Sequence, residues 1–234
     1  MVDMHSHILP GVDDGSSSMD ETIAMLRMEA EQGIRRVVAT PHFYARHDSP
    51  ERFLSRRNRA EERLREMLEK HPELPEVHVG AEVYYFSGIG ESEVLFELTI
   101  GKTRCILLEM PLPPWTSQMY RDMEDISTKQ GLIPIIAHVD RYIRPFAIHG
   151  IPERLSQLPV LVQANAGFFL RRATAGMAMR LLKSNRIHLL GSDCHNLEDR
   201  APNLGAASVQ IQKHLGTAAI DRICDHEKNI WMNL

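Results

Sequence analysis

A distorted (β/α)7 barrel, TIM-like but short of the usual eight strands, is the α/β fold that this 234-residue chain predicts. Two observations carry that expectation. Seven short runs rich in Val, Ile and Leu alternate with helical patterns, which is how parallel strands buried on both faces read. A histidine or carboxylate stands at the carboxyl end of most of these runs, and in such barrels function gathers at that end of the strands.

The first run is Asp3-Met4-His5-Ser6-His7. On an extended strand these three polar residues share one face, so two imidazoles can reach a single cation while Asp3 beneath them holds a ring N–H. Ser18-Met19-Asp20-Glu21 reads as a capped helix start; Ile23, Leu26, Met28 and Ala30 supply its apolar positions and Gly33 closes it. Val37-Val38-Ala39-Thr40-Pro41 is the second strand and ends on His42. From about Pro50 to His71, arginines and glutamates alternate around Phe53, Leu54, Leu64, Met67 and Leu68. That pattern reads as a solvated amphipathic helix, with a docking face for an acidic partner as the alternative. Val77-His78-Val79-Gly80-Ala81 leads to Glu82, Cys105-Ile106-Leu107-Leu108 to Glu109, and Ile133-Pro134-Ile135-Ile136-Ala137 to His138. Val160-Leu161-Val162-Gln163-Ala164 is the sixth strand, and Ile187-His188-Leu189-Leu190-Gly191-Ser192 the seventh, ending on Asp193 and His195. Helices are expected after Trp115, Pro152, Thr174 and Pro202, and a last one from about Thr217 to near Asn229.

A hydrophobic content of 43% with 25% charged residues suits one globular domain over residues 1–234, and no linker or repeat divides it. The net charge of −4 offers no basic footprint for nucleic acid. No stretch is apolar enough to enter a membrane, and a start of Met1-Val2-Asp3 leaves no room for a signal peptide. Cys105, Cys194 and Cys224 are odd in number, which points to a reducing cytoplasm.

Taken together, Asp3-Met4-His5-Ser6-His7, Thr40-Pro41-His42, Gly80-Ala81-Glu82-Val83-Tyr84-Tyr85, Leu108-Glu109, Ala137-His138-Val139-Asp140-Arg141-Tyr142 and Ser192-Asp193-Cys194-His195-Asn196 resemble the polymerase and histidinol phosphatase (PHP) superfamily. Within it the chain is most similar to the manganese-dependent bacterial protein-tyrosine phosphatases of capsule and exopolysaccharide gene clusters. The resemblance implies the PHP form of the barrel and a centre of two or three divalent ions. One ion would take His5, His7, Glu82 and Asp193, with Glu82 bridging to a second that also takes Glu109 and His138. A third would take His42, His195 and Asp14, leaving Asp13 as an orienting or bridging alternative. A nitrogen and oxygen donor set without thiolate suits manganese, iron or zinc rather than magnesium.

Clustered divalent ions suit phosphate ester hydrolysis because metal-bound water loses its proton near pH ~7 in the best cases, against about 15.7 in bulk, and paired ions clamp an in-line displacement. The resemblance makes Arg141 and Arg200 phosphate binders, since guanidinium groups bind phosphate oxygens in a bidentate manner. The competing reading pairs each with its neighbour, Asp140 or Asp199. Cys194 and Arg200 also match the Cys-x5-Arg spacing of cysteine-dependent phosphatases. That mechanism needs a low-pKa thiolate under a loop of backbone N–H groups, whereas this loop lacks glycine and carries Glu198 and Asp199. Cys194 therefore reads as a spacer. His47, His71, His78, His149, His188, His214 and His226 read as structural, while Phe43, Tyr44, Tyr84 and Tyr85 read as a groove for an aromatic ester or as mouth packing.

The resemblance thus implies hydrolysis of phosphotyrosine on the tail of a bacterial tyrosine kinase that controls polysaccharide export. Arg56, Arg57 and Arg59 would steer an acidic tail toward the mouth. The competing functions are another PHP phosphoesterase, such as a histidinol-phosphate phosphatase, and a catalytically silent metal-binding scaffold. The first shares every ligand; the second has no reason to keep them all together with both arginines.

Overall fold

The computed structural model describes residues 1–143 and 150–232, so His149 lies outside the described residues. Its strands are β1 (Val2–Ser6), β2 (Arg36–Ala39), β3 (His42–Phe43), β4 (Glu76–Val79), β5 (Glu82–Tyr84), β6 (Cys105–Glu109), β7 (Ile133–Ile136), β8 (Leu161–Asn165) and β9 (Leu189–Gly191). All pair in parallel, as β1-β2-β4 and β3-β5-β6-β7-β8-β9. Among the described residues nine segments stand where seven runs were expected, because β2/β3 and β4/β5 are each one strand interrupted near the mouth. Pro41 has no N–H to give the ladder. Pairing nevertheless crosses the break, since the Gly80 N–H donates to Ala39 O at 2.9 Å and the Glu82 N–H to Pro41 O at 3.0 Å. The ring closes between the last and first strands, where the Asp193 N–H donates to His5 O at 2.8 Å and the His7 N–H to Cys194 O at 2.9 Å.

The helices are α1 (Met19–Glu31), α2 (Pro50–Leu68), α3 (Ser117–Thr128), α4 (Asp140–Ile143), α5 (Ile151–Leu155), α6 (Ala166–Leu170), α7 (Ala175–Lys183), α8 (Leu204–Leu215) and α9 (Thr217–Met232). Ser18 caps α1 by accepting the Glu21 N–H at 3.2 Å, while the Glu21 carboxylate turns back to Ser17. The buried face of α1 is Thr22, Met25, Leu26 and Glu29, a cleaner helical stripe than the expected Ile23, Met28 and Ala30. Helix α2 stops at Leu68, short of His71, because the Lys70 and His71 N–H groups bond back three residues and tighten the turn before Pro72. Helix α9 runs on to Met232, past the expected end near Asn229.

Two apolar clusters form the core. Inside the barrel, Val2, Met4, Val38, Leu107, Ile135 and Leu189 pack together, with Ile230 of α9 plugging the base. The larger cluster fills the layer between strands and helices, joining Leu26, Phe53, Leu64, Met123, Leu182 and Ile211. No helix among the described residues is long and apolar enough to cross a membrane.

Candidate metal centre

The expected ligands lie near the mouth ends of the strands, with Asp14 in the loop between β1 and α1, and the structure brings them to one mouth. His5 Nε2 and His7 Nε2 stand 3.1 Å apart. Glu82 Oε2 lies 3.2 Å from the first and 3.3 Å from the second, and Asp193 Oδ1 lies 3.6 and 3.5 Å from them. Two donors bound to one ion at about 2.1 Å sit roughly 3.0–3.5 Å apart, so these spacings are those of a coordination sphere. Glu82 Oε2 is also 3.0 Å from His42 Nδ1, and its Oε1 is 2.7 Å from His138 Nε2. Glu109 Oε1 lies 3.6 Å from His138 Nε2. Asp14 Oδ1 is 3.5 Å from both His42 Nε2 and His195 Nε2.

Donor convergence groups His5, His7 and Asp193; His7, Asp14, His42 and His195; and His42, Glu82 and Glu109. This differs in detail from the family-derived partition, because His7 and His42 each stand between two groups. Glu82 Oε2, Glu109 Oε2 and His195 Nε2 are buried with no hydrogen-bond partner. A buried polar atom without a partner is costly, and a cation would satisfy all three. The residues therefore fit a cluster of divalent ions.

Asp3 does not hold a ring N–H as its strand position suggested. Its Oδ1 accepts the backbone N–H groups of Ser192 at 2.8 Å and His5 at 3.2 Å, while Oδ2 faces the buried Glu29. The physical reason is a slip in the β1/β2 register between Asp3 and Ser6. Met4 packs inside the barrel while His5 reaches the mouth, which strict alternation would forbid. The rings are held by other groups. Asp13 Oδ2 takes His7 Nδ1 at 2.7 Å and the His42 backbone N–H at 2.9 Å, and Gln163 Oε1 lies 3.4 Å from His5 Nδ1. Occupying Nδ1 in this way leaves Nε2 for a metal. Gln163 Oε1 also accepts the His138 N–H, and Asn165 Nδ2 donates to Asp193 Oδ2 at 2.8 Å. Neither residue was assigned a role from sequence, although a glutamine inside Val160–Ala164 was the available signal, since a polar side chain on a buried strand needs a purpose.

Two candidate ligands sit on left-handed backbone, His138 at φ 30° and Asp193 at φ 55°, a strain that clusters at functional sites. Close packing fixes two glycines nearby. A Cβ on Gly15 would lie 2.1 Å from His7 O, and one on Gly191 would lie 2.6 Å from His5 Cβ.

Burial would push His7 down, but the Asp13 and Glu82 carboxylates outweigh it and raise the imidazole to about 10. Asp13 is held at about 2, because its bonds to His7 overcome burial. Glu82 is held well below its usual range by His5, His138 and His42 against its burial, whereas burial and the Glu82 charge raise Glu109. Burial and the neighbouring His7 lower His195 to about 4. The Cys194 thiol is pushed far up by burial and by Asp3 and Glu29, the opposite of an activated nucleophile.

The arginines pair with neither Asp140 nor Asp199. Arg141 Nη2 donates to Asp193 Oδ2 at 2.6 Å and Arg200 Nη2 to Asp193 Oδ1 at 2.7 Å, while Asp140 accepts the Asn165 N–H. Both guanidinium groups border a polar cavity of about 250 Å³ beside the ligands, which Asn165 and Arg171 also line. Arg57, expected on the steering face, is instead buried and donates to Glu97 O at 3.0 Å. Tyr44 stacks on His42 with ring centres 5.2 Å apart and lies 5.5 Å from Tyr84, while Phe43 is in the core. The Tyr85 hydroxyl is turned to Asp122 on α3 at 2.5 Å.

Residues 1–232 match the family of capsular polysaccharide synthesis proteins CpsB/CapC. The chain is 30% identical over 225 residues to the tyrosine-protein phosphatase YwqE of Bacillus subtilis, covering 93% of this chain and 86% of that one. It is 28% identical to the tyrosine-protein phosphatase CpsB of Streptococcus pneumoniae, over 100% of this chain and 99% of that one. Among solved structures it superposes with a TM-score of 0.88 and 25% identity, over 100% of this chain and 95% of the other, on one from a study of YwqE and CpsB that describes them as unique metal-dependent tyrosine phosphatases. With the ligand order, the barrel and a match along nearly all of its length, the chain belongs to the CpsB/CapC family.

Proposed function

We propose that this protein is a metal-dependent protein-tyrosine phosphatase that holds two or three divalent ions, manganese before iron or zinc. The observation that carries the reading is the convergence of His5, His7, Asp14, His42, Glu82, Glu109, His138, Asp193 and His195 at one mouth with Arg141 and Arg200 beside them. Divalent ions held there supply a nucleophile from water at neutral pH and neutralise charge on the phosphoryl oxygens. The chain's own contribution is positioning. Asp13 and Gln163 fix the two histidine rings, and the Asp193 carboxylate draws both guanidinium groups to the ligand cluster. A guanidinium has five N–H donors, so each arginine keeps donors for phosphate oxygens in the adjoining cavity. A phenolate leaves more readily than an alkoxide, which favours aryl phosphates in a site with no evident general acid. The substrate we infer is the phosphorylated tail of a bacterial tyrosine kinase in capsule or exopolysaccharide synthesis.

The test is turnover of phosphotyrosine peptide, phosphoserine peptide and histidinol phosphate by chelated and manganese-reloaded protein. Chelation should abolish activity, manganese should restore it, and phosphotyrosine should have the highest kcat/KM. Cys194→Ser should keep activity within about tenfold, because the buried thiol has no part in the reaction. A higher kcat/KM for histidinol phosphate would overturn the substrate; a loss above about a hundredfold in a fully metallated Cys194→Ser protein would overturn the mechanism.

A further inference from the structure

Helix α2 carries Arg52, Arg56, Arg59 and Arg63 at spacings of four, three and four, which at about 3.6 residues per turn places them on one stripe. Its buried face is Phe53, Arg57, Ala60 and Leu64, and Arg65 falls on the side away from the stripe. The stripe starts at the metal centre. A cavity of about 500 Å³ is lined by Asp13, Asp14 and His42 of the metal centre, by Tyr44, and by Asp48, Arg52 and Arg56. Arg52 and Arg56 also line a second cavity of about 340 Å³ together with Arg59, so the two form one continuous groove leading out along α2.

Charge in that groove is unevenly committed. Arg56 is fixed, bonding Asp48 Oδ2 at 2.7 Å and Val12 O at 3.1 Å. Arg52 is 78% exposed and shares Asp48 with Arg56, its Nε lying 3.7 Å from Oδ1 while Arg56 holds Oδ2. Arg59 uses its Nε on Ser55 O at 3.1 Å, and Glu51 is the acidic side chain that borders the outer cavity. Asp13 and Asp14 face the histidines, so along α2 the three guanidinium groups of Arg52, Arg56 and Arg59 share two carboxylates, Asp48 and Glu51.

We propose that this groove is a docking track for carboxylate side chains flanking the phosphotyrosine of the substrate, read by Arg52 and Arg59. The inference rests on the phosphotyrosine phosphatase reading above and adds a sequence preference to it. From Arg52 to Arg59 the helix rises about 10 Å, the length of about three residues of extended peptide, so the preferred acids lie within a few positions of the phosphotyrosine. Exposed ion pairs are individually weak and screened by salt, so the track acts on KM at low ionic strength and leaves the chemical step alone.

The experiment compares manganese-loaded wild type, the double variant Arg52→Glu/Arg59→Glu, and Arg65→Glu, on a phosphotyrosine peptide flanked by Asp and Glu, its Asn and Gln counterpart, and p-nitrophenyl phosphate. The double variant should raise KM about tenfold for the acidic peptide alone, with kcat unchanged and the difference fading in high salt. Arg65→Glu should behave as wild type. Equal KM changes for both peptides, or an equal effect from Arg65→Glu, would overturn the track in favour of a whole-molecule field. Wild type that hydrolyses neither peptide would overturn the function on which the track rests, a result separate from a track that fails in an active enzyme.

Discussion

His7 is buried completely, between the ligand cluster and Asp13. In the metal-free protein its raised pKa keeps it protonated, and an arriving cation must displace that proton. Metal affinity should therefore rise with pH between about 6 and 8, measured as proton release during titration with manganese. The sign for stability follows from the two shifts. The His7 contribution is complete below its unfolded value of about 6.5 and is lost as pH rises through about 10; the Asp13 contribution is complete above about 3.9 and is lost as pH falls to about 2. Asp13→Asn should flatten the acid limb of the chelated protein's melting curve, the rest of which belongs to Glu82 and Asp193, and weaken metal binding by about 10- to 100-fold, read by isothermal titration. Most of the candidate ligands stand out in the sequence because a His, Asp or Glu closing an apolar run is conspicuous; Asp14 closes none and is singled out only by the family resemblance. Asp13, Gln163 and Asn165 were harder to assign, because the side chains they hold lie on other turns of the chain and only the fold brings them within reach.

At the scale of elements, the strands were legible from Val, Ile and Leu content, while their interruptions depend on what lies opposite. Val37–Pro41 reads as one uninterrupted strand, although Pro41 has no N–H for the ladder, and the slip in β1 that separates Met4 from His5 has no signature in composition. The short α4 and α6 were not expected either, being stretches of four and five residues after β7 and β8 where no apolar period can be read. Gly15 and Gly191 connect the loops and strands to the site through the space they leave. Gly191→Ala should displace His5 and Gln163, lowering both the melting temperature and the metal content. Gly167→Ala, where a Cβ would meet no atom within 4 Å, serves as the control and should change neither. Metal analysis with a thermal melt on the three proteins decides this.

For the whole molecule, the candidate ligands come from β1, β3, β5, β6, β7 and β9 or the loops that follow them, so ions held at the mouth would tie most of the ring together. Binding only to the folded state stabilises it by about 2.7 kcal/mol at a hundredfold excess over Kd. For a chain of this size that is roughly 5–10 °C in Tm. Chelation should lower Tm by that much and manganese should restore it in differential scanning calorimetry, with His5→Ala abolishing the response. An unchanged Tm in a protein shown to lose its ions would mean that the mouth is held by the barrel alone. The barrel itself was foreseeable from alternation of strand and helix. Its closure was foreseeable only through the family resemblance, which sets His5, His7 and Asp193 on one ion; nothing local in Asp3–His7 or Gly191–His195 announces that the two segments meet.

That seam joins segments 189 residues apart, as measured by the bond from the Ser192 N–H to Asp3. At about 5–20 residues per second, a ribosome leaves His5 and His7 waiting roughly 10 to 40 seconds before Asp193 and His195 are made. During that interval β1 has no β9 to pair with, and the ion that needs both segments has no home. Capture of that ion must therefore wait until both sides of this long-range seam have been made. A chain halted before Asp193 should lack the ion that His5, His7 and Asp193 would share, so a truncated product would be marked by a lower metal content as well as by its open barrel.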